Sequence, residues 1–175
     1  QAPFRELARL SPGEGNPSGF PGPNGSAPLA MPLLVYDLNR DGLSEVVLAG
    51  ANIVYWNQGK GQFKKGTLCK HYPARLQAAV FADFDNDGIT DLLGMPEGSP
   101  PVIFRGDRHG RFEQPPEVIK LNGKVINAGT CVTAGDIDGD GDLDAWLTQN
   151  KPPYIGGQMP TPYYDANDGY PSFLL

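Results

Sequence analysis

The chain has 175 residues, 20 of them acidic against 14 basic, a net charge of −6, 39% apolar residues, 23 glycines and 18 prolines. An acidic chain with scattered lysines and arginines offers no cationic face to nucleic acid. Its longest apolar stretch, residues 27–36, is short and broken by two prolines, which excludes a membrane-spanning helix there.

Residues 1–30 open with Phe4-Arg-Glu-Leu-Ala8, an extended segment expected to serve as an outer strand, and continue as a Gly/Pro/Ser/Asn-rich linker over residues 11–30. From residue 31 to residue 175 one pattern is used three times. Leu33–Tyr36 reads as a strand, followed by Asp37-Leu-Asn-Arg-Asp-Gly-Leu-Ser-Glu45 and the apolar run Glu45–Ala49. A second strand from Ile53 runs into the glycine turn Asn57-Gln-Gly-Lys-Gly-Gln, and Phe63 is expected to start an outer strand.

The second unit repeats this order: Ala79–Ala82, the loop Asp83-Phe-Asp-Asn-Asp-Gly-Ile-Thr-Asp91, Asp91–Met95, then Val102-Ile-Phe-Arg-Gly-Asp-Arg-His-Gly-Arg-Phe112. Here Phe112 is expected to start the outer strand. The third unit has Thr130–Ala134, the loop Asp136-Ile-Asp-Gly-Asp-Gly-Asp-Leu-Asp144 and Asp144–Thr148. It then departs into a Pro/Gly/Tyr-rich insertion, Lys151 to Tyr170, before Phe173-Leu-Leu175, where a further strand is expected. The units are therefore read as three blades, the last incomplete.

Each nine-residue loop carries oxygen side chains at positions 1, 3, 5 and 9 and glycine at position 6. Acids at alternate positions point inward, glycine permits the sharp turn, and the carbonyl of position 7 adds a ligand, which is how a short loop wraps a hard cation. The expected side-chain ligands are Asp37, Asn39, Asp41 and Glu45; Asp83, Asp85, Asp87 and Asp91; and Asp136, Asp138, Asp140 and Asp144. Carbonyls of Leu43, Ile89 and Asp142 are expected to complete them. Up to three Ca2+ ions follow. The loops hold 12 of the 20 acidic residues, and three divalent ions would neutralise the chain's net −6. With Asn39 and Arg40, the first loop is the least acidic, so its site is expected to be the weakest.

An EF-hand is excluded, because its twelfth position is a bidentate Glu where this chain has Leu48, Gly94 and Leu147. These loops also lead into strands. Loop starts lie 46 and 53 residues apart, a period of solenoids and propellers. One unit amounts to four antiparallel strands, the content of a β-propeller blade. The expected class is all-β.

The Asp-x-Asp-x-Asp-Gly-x-x-Asp loop between strands, with the aromatic-Asn-x-Gly-x-Gly-x-Phe hairpin after it, resembles FG-GAP/VCBS repeats. These occur in integrin α-subunit propellers and in secreted bacterial proteins, including those with an ASPIC/UnbV-like tail. The resemblance covers roughly residues 31–175 and implies calcium-stabilised propeller blades with a binding, adhesive or structural role and no catalysis. Departures are Gly106 in place of the hairpin Asn and the missing Gly-x-Gly-x-Phe of the third unit. About three blades fall short of a closed ring. Either the chain belongs to a longer polypeptide, or open blade edges recruit protein partners or like subunits.

Calcium sites of this kind suit a secreted or cell-surface location, extracellular or periplasmic, because cytosolic calcium is scarce; on that expectation Gln1 is hypothesised to be a mature N-terminus after cleavage. Cys69 and Cys131 are compatible with one disulfide or with two free thiols. Asn24-Gly-Ser26 is an N-glycosylation acceptor triplet. His71 and His109 belong to no nucleophile motif, and Arg105-Gly-Asp107 reads as ordinary hairpin-turn residues rather than a recognition tripeptide. Tyr154, Tyr163, Tyr164 and Tyr170 in the insertion are expected either to pack the long loop over the blade edge, the favoured reading, or to form a candidate surface for a protein or a carbohydrate. Two other readings are carried forward: the non-catalytic propeller of a secreted carbohydrate-active enzyme, and a subunit of a self-assembling extracellular fibre or surface layer.

Overall fold

A computed structural model of the chain describes residues 32–120, 129–149 and 172–174. The expected strand at Phe4–Ala8, the Asn24 triplet and the tyrosines of the insertion lie outside the described residues. Within them the fold is all-β and consists of three antiparallel sheets, each one blade.

The first blade contains β1 (Leu33–Tyr36), β2 (Glu45–Leu48), β3 (Ile53–Asn57) and β4 (Phe63–Thr67), hydrogen-bonded in chain order. The second contains β5 (Leu76–Ala82), β6 (Asp91–Pro96), β7 (Val102–Phe104) and β8 (Glu117–Val118), in the same order. The third contains β9 (Gly129–Gly135), β10 (Asp144–Gln149) and β11 (Phe173–Leu174), with β10 in the middle. Phe173 and Leu174 thus pair across the insertion with Leu147 and Trp146.

The three acidic loops close on one register. Tyr36 pairs with Glu45, Ala82 with Asp91 and Gly135 with Asp144. The residue before position 1 therefore always faces position 9 across the ladder, and the loop between them is held at both ends by sheet hydrogen bonds.

The outer strand of the second blade differs from expectation. Phe112 does not start it; it is buried and makes a parallel bridge to Cys69 of the first blade. The strand begins only at Glu117, after Pro115 and Pro116. Neither proline has an N–H to give to a ladder, so the segment from Phe112 is free to plug the gap between blades.

Two apolar clusters lie between the blades. Leu38, Val47, Val54 and Leu68 of the first blade meet Leu76, Phe81, Leu92, Phe104 and Phe112 of the second. Leu93 and Met95 on the opposite face of β6 meet Ala145 and Leu147 of β10. Successive strand residues point to opposite faces, so Leu92 and Leu93 serve different interfaces. β6 is buried along its whole length for that reason. The terminal blades keep apolar groups on their other faces: Leu33 and Val35 on β1, Trp146 and Leu174 on β10 and β11, are exposed.

Polar contacts tie the first blade to the second. Tyr72 Oη donates to the Ala49 carbonyl at 2.7 Å and accepts from Leu76 N–H at 2.8 Å. Asn52 clamps the chain at Cys69, accepting from its N–H and donating to its carbonyl. Cys69 is a buried free thiol in the core between the first two blades, and Cys131 is an exposed free thiol on β9. The second blade separates them, so they do not pair. Burial pushes the Cys69 thiol up to about 12.

Candidate metal centre

The three loops share a backbone scaffold. At position 1, Asp37 accepts from Gly42 N–H at 2.9 Å, Asp83 from Gly88 N–H at 2.8 Å and Asp136 from Gly141 N–H at 3.1 Å. At position 5, Asp41, Asp87 and Asp140 accept from the N–H of Leu43, Ile89 and Asp142 at 2.8, 2.7 and 2.9 Å. At position 3, Asn39, Asp85 and Asp138 accept from the N–H of position 5 at 3.2, 3.3 and 3.2 Å. At positions 3 and 5 each side chain thus gives one oxygen to the turn, which fixes it in place. At position 1, Asp37 and Asp136 give both oxygens, their Oδ1 accepting from the N–H of Asp41 at 3.1 Å and of Gly139 at 2.7 Å, whereas Asp83 gives only Oδ2. Position 6 explains its glycine. Gly42, Gly88 and Gly141 have φ of +86°, +81° and +95°, a region L side chains avoid, although a Cβ there would meet nothing within 4 Å.

In the second and third loops the carboxylates converge. One oxygen from each of Asp83, Asp85 and Asp87 lies within 4.8 Å of the others, and the same holds for Asp136, Asp138 and Asp144. The first loop forms no such triple among the described residues. There Asn39 Nδ2 donates to Asp41 Oδ2 at 3.0 Å, so the amide satisfies an oxygen that the other loops leave open. The side chain of Asp142 accepts from Asn86 Nδ2, which links the third loop to the second.

Position 9 separates the loops. Glu45 is fully buried; its Oε2 accepts from Leu38 N–H at 2.8 Å and its Oε1 from Asn57 N–H at 3.4 Å. Burial raises its pKa above the ordinary 4.5, opposed by those two backbone donors. Asp144 is half-buried, accepts from Ile137 N–H at 2.9 Å and stays with its carboxylate triple. Asp91 is buried and stands outside the carboxylate triple of its loop. It accepts from Gly106 N–H at 3.0 Å and from Arg105 Nη1 at 2.6 Å. Burial raises its pKa as well, against the pull of the Gly106 amide and Arg105.

Arg105 is the residue that sequence reasoning missed. Its Nη1 also lies 3.0 Å from Asp85 Oδ2, and its Nε lies 3.9 Å from Glu117. The charge and hydrogen bond of Asp91 hold its pKa up although burial alone would lower it. The visible signal was the second hairpin: Arg105 stands where the first hairpin has Trp56, next to the replacement of Asn57 by Gly106. The glycine has its own cause, since a Cβ at Gly106 would sit 2.0 Å from the Thr90 carbonyl oxygen. The tripeptide it belongs to is committed to internal contacts, with Asp107 accepting from the N–H of His109 and Arg111 at 2.8 and 2.9 Å.

Whether these residues suit a cation is tested by one atom. Asp83 Oδ1, the remaining oxygen at position 1 of the second loop, is buried with no hydrogen-bond partner. A buried carboxylate oxygen without a donor costs on the order of 1–3 kcal/mol or more, and a hard cation among Asp83, Asp85 and Asp87 would satisfy it. The all-oxygen donor set fits calcium or magnesium rather than a soft metal.

Comparison with known proteins agrees with this architecture. The profile of the FG-GAP-like repeat matches residues 37–94 and again residues 83–147. The "T-cell immunomodulatory protein" of Mus musculus is 34% identical over 71 residues, which is 40% of this chain and 11% of that protein. The chain therefore corresponds to a small part of that relative's length.

Proposed function

Because the chain belongs to the FG-GAP-like repeat family, we propose that it forms calcium-stabilised propeller blades of an exported protein whose role is binding or adhesion. Calcium at the Asp-rich loops is structural in this reading. It fixes the corner between the first two strands of a blade, where the position-1 and position-9 residues flank the end of the ladder. The ligands are the four side chains of each loop with the carbonyls of Leu43, Ile89 and Asp142. Protein oxygens fill the shell, so the ion has no role in turnover.

The observation that carries this reading is the unsatisfied Asp83 Oδ1 inside a converged carboxylate triple. The exposed apolar faces, Leu33 with Val35 at one end and Trp146 with Leu174 at the other, support contacts with further blades, like subunits or protein partners. Exposed apolar groups side by side on a sheet favour a packed neighbour over water.

Calcium titration of metal-free protein tests the proposal. Binding that raises the melting temperature, and its reversal by EGTA, is expected. An ion bound at a hundred times its Kd adds about 2.7 kcal/mol of stability. An unfolding transition that EGTA leaves in place would overturn the structural-calcium reading.

A further inference from the structure

The second loop already contains a cation. Arg105 Nη1 lies 2.6 Å from Asp91 Oδ2 and 3.0 Å from Asp85 Oδ2, and so bridges positions 9 and 3 of the same loop. In the third loop the position-9 acid remains within the carboxylate triple; in the second it does not. The four loop acids are the same residue type at the same positions, and the guanidinium is what sets their position-9 carboxylates apart.

We infer that Arg105 is a built-in competitor of calcium at the second loop, so that this site binds the ion more weakly than the third and fills only when Asp91 and Asp85 are released. The inference rests on the calcium reading given above. Its physical basis is direct: a bound ion needs the carboxylates that the guanidinium now holds, and two cations cannot share those two oxygens without repulsion. Any free energy that holds Arg105 on Asp91 and Asp85 is subtracted from calcium binding. Charge-assisted contacts of this kind are the stronger class of protein hydrogen bond, so the subtraction is appreciable.

The released side chain has an acceptor ready. Glu117 on β8 is exposed and lies 3.9 Å from Arg105 Nε. Arg105 and Glu117 also line a cleft between the second and third blades whose walls include Phe84, Leu93, Ile103 and Leu143. Calcium at the second loop therefore changes the charge at the rim of an apolar cleft. The third loop has no such lever among the described residues. The first hairpin has Trp56 at the equivalent position, which carries no charge.

The test is calorimetric titration of metal-free protein with calcium in the wild type and in Arg105→Gln. The two sites are assigned by adding Asp87→Ala or Asp140→Ala. The expected result is that Arg105→Gln tightens the second site at least tenfold, which is about 1.4 kcal/mol, and leaves the third unchanged. In the wild type, the Nε–H resonance of Arg105 should move with the later binding step and not with the earlier one. That measurement serves if the variant fails to fold. An unchanged or weakened second site in Arg105→Gln, with the third site filling normally, overturns the competitor role alone. An Arg105 resonance that moves with the earlier step does the same. Absence of calcium binding at both sites in both proteins removes the calcium reading together with it.

Discussion

The second and third loops carry aspartate at the same four positions, yet Asp91 is held by a guanidinium and Asp144 by a backbone amide. The difference arises outside the loops. A seven-residue separation along the chain sets the amide that Asp144 meets, whereas Arg105 is fourteen residues from Asp91 and reaches it through the β6–β7 pairing. Ligand spacing fixes which carboxylates are available in principle. Which of them are free is decided by the hairpin that packs beside the loop.

Truncating the ninth-position acid should expose this difference most clearly. In EGTA, Asp91→Ala is expected to cost about 1–3 kcal/mol, because it leaves the Gly106 amide without its acceptor and removes the buried partner of Arg105, which is itself 35% exposed and keeps Asp85 beside it. Asp144→Ala should cost only about 1 kcal/mol, the loss of one partly exposed hydrogen bond. Urea denaturation of both variants measures this, and equal losses would mean that the Arg105 contact contributes little.

A smaller effect is expected from pH. Glu45 and Asp91 have pKa values raised in the folded state from ordinary values of 4.5 and 3.8. A raised folded pKa contributes stability that is fully present below the ordinary value and is lost as pH rises through the raised one. Metal-free protein should therefore gain stability from these two groups as pH falls from 7 toward 4.5. Calcium-loaded protein should lose stability over the same range, since protons compete with the ion. Denaturation curves with EGTA and with calcium check the opposite slopes. Glu45→Gln and Asp91→Asn should each flatten the metal-free one.

The smallest expected effect concerns position 4. Arg40 and Asn86 both have φ of 58°, and the third loop has Gly139 at φ of 80°. A left-handed conformation suits glycine and, less well, asparagine, so Arg40 is the misfit. Arg40→Gly should stabilise the first loop by up to about 1 kcal/mol, read as a rise in melting temperature without calcium. No gain would indicate that the arginine side chain offsets its backbone strain.

Much of this protein was legible before its structure. The strands at Leu33–Tyr36, Glu45–Leu48 and Ile53–Asn57 follow from short apolar runs bounded by glycine turns, because backbone pairing needs only local pattern and a tight connection. The loops were equally readable, since acids at alternate positions with glycine at the sixth are a purely local code. Less was legible where a residue is used by another blade. Phe112 has the sequence of a strand start, but two prolines deny it a ladder and an interblade gap takes its ring. Arg105 looks like an ordinary turn residue until pairing of β6 with β7 brings its long side chain to Asp91.

The sequence alone determined a repeated β-unit with three oxygen-rich turns, because both features depend on neighbours a few residues apart. Only the tertiary structure decided which face of β6 meets which blade, that Cys69 and Cys131 stand apart, and that one loop is answered by an internal cation. Those outcomes depend on distances between segments far apart in the chain, and packing, not spacing, sets them.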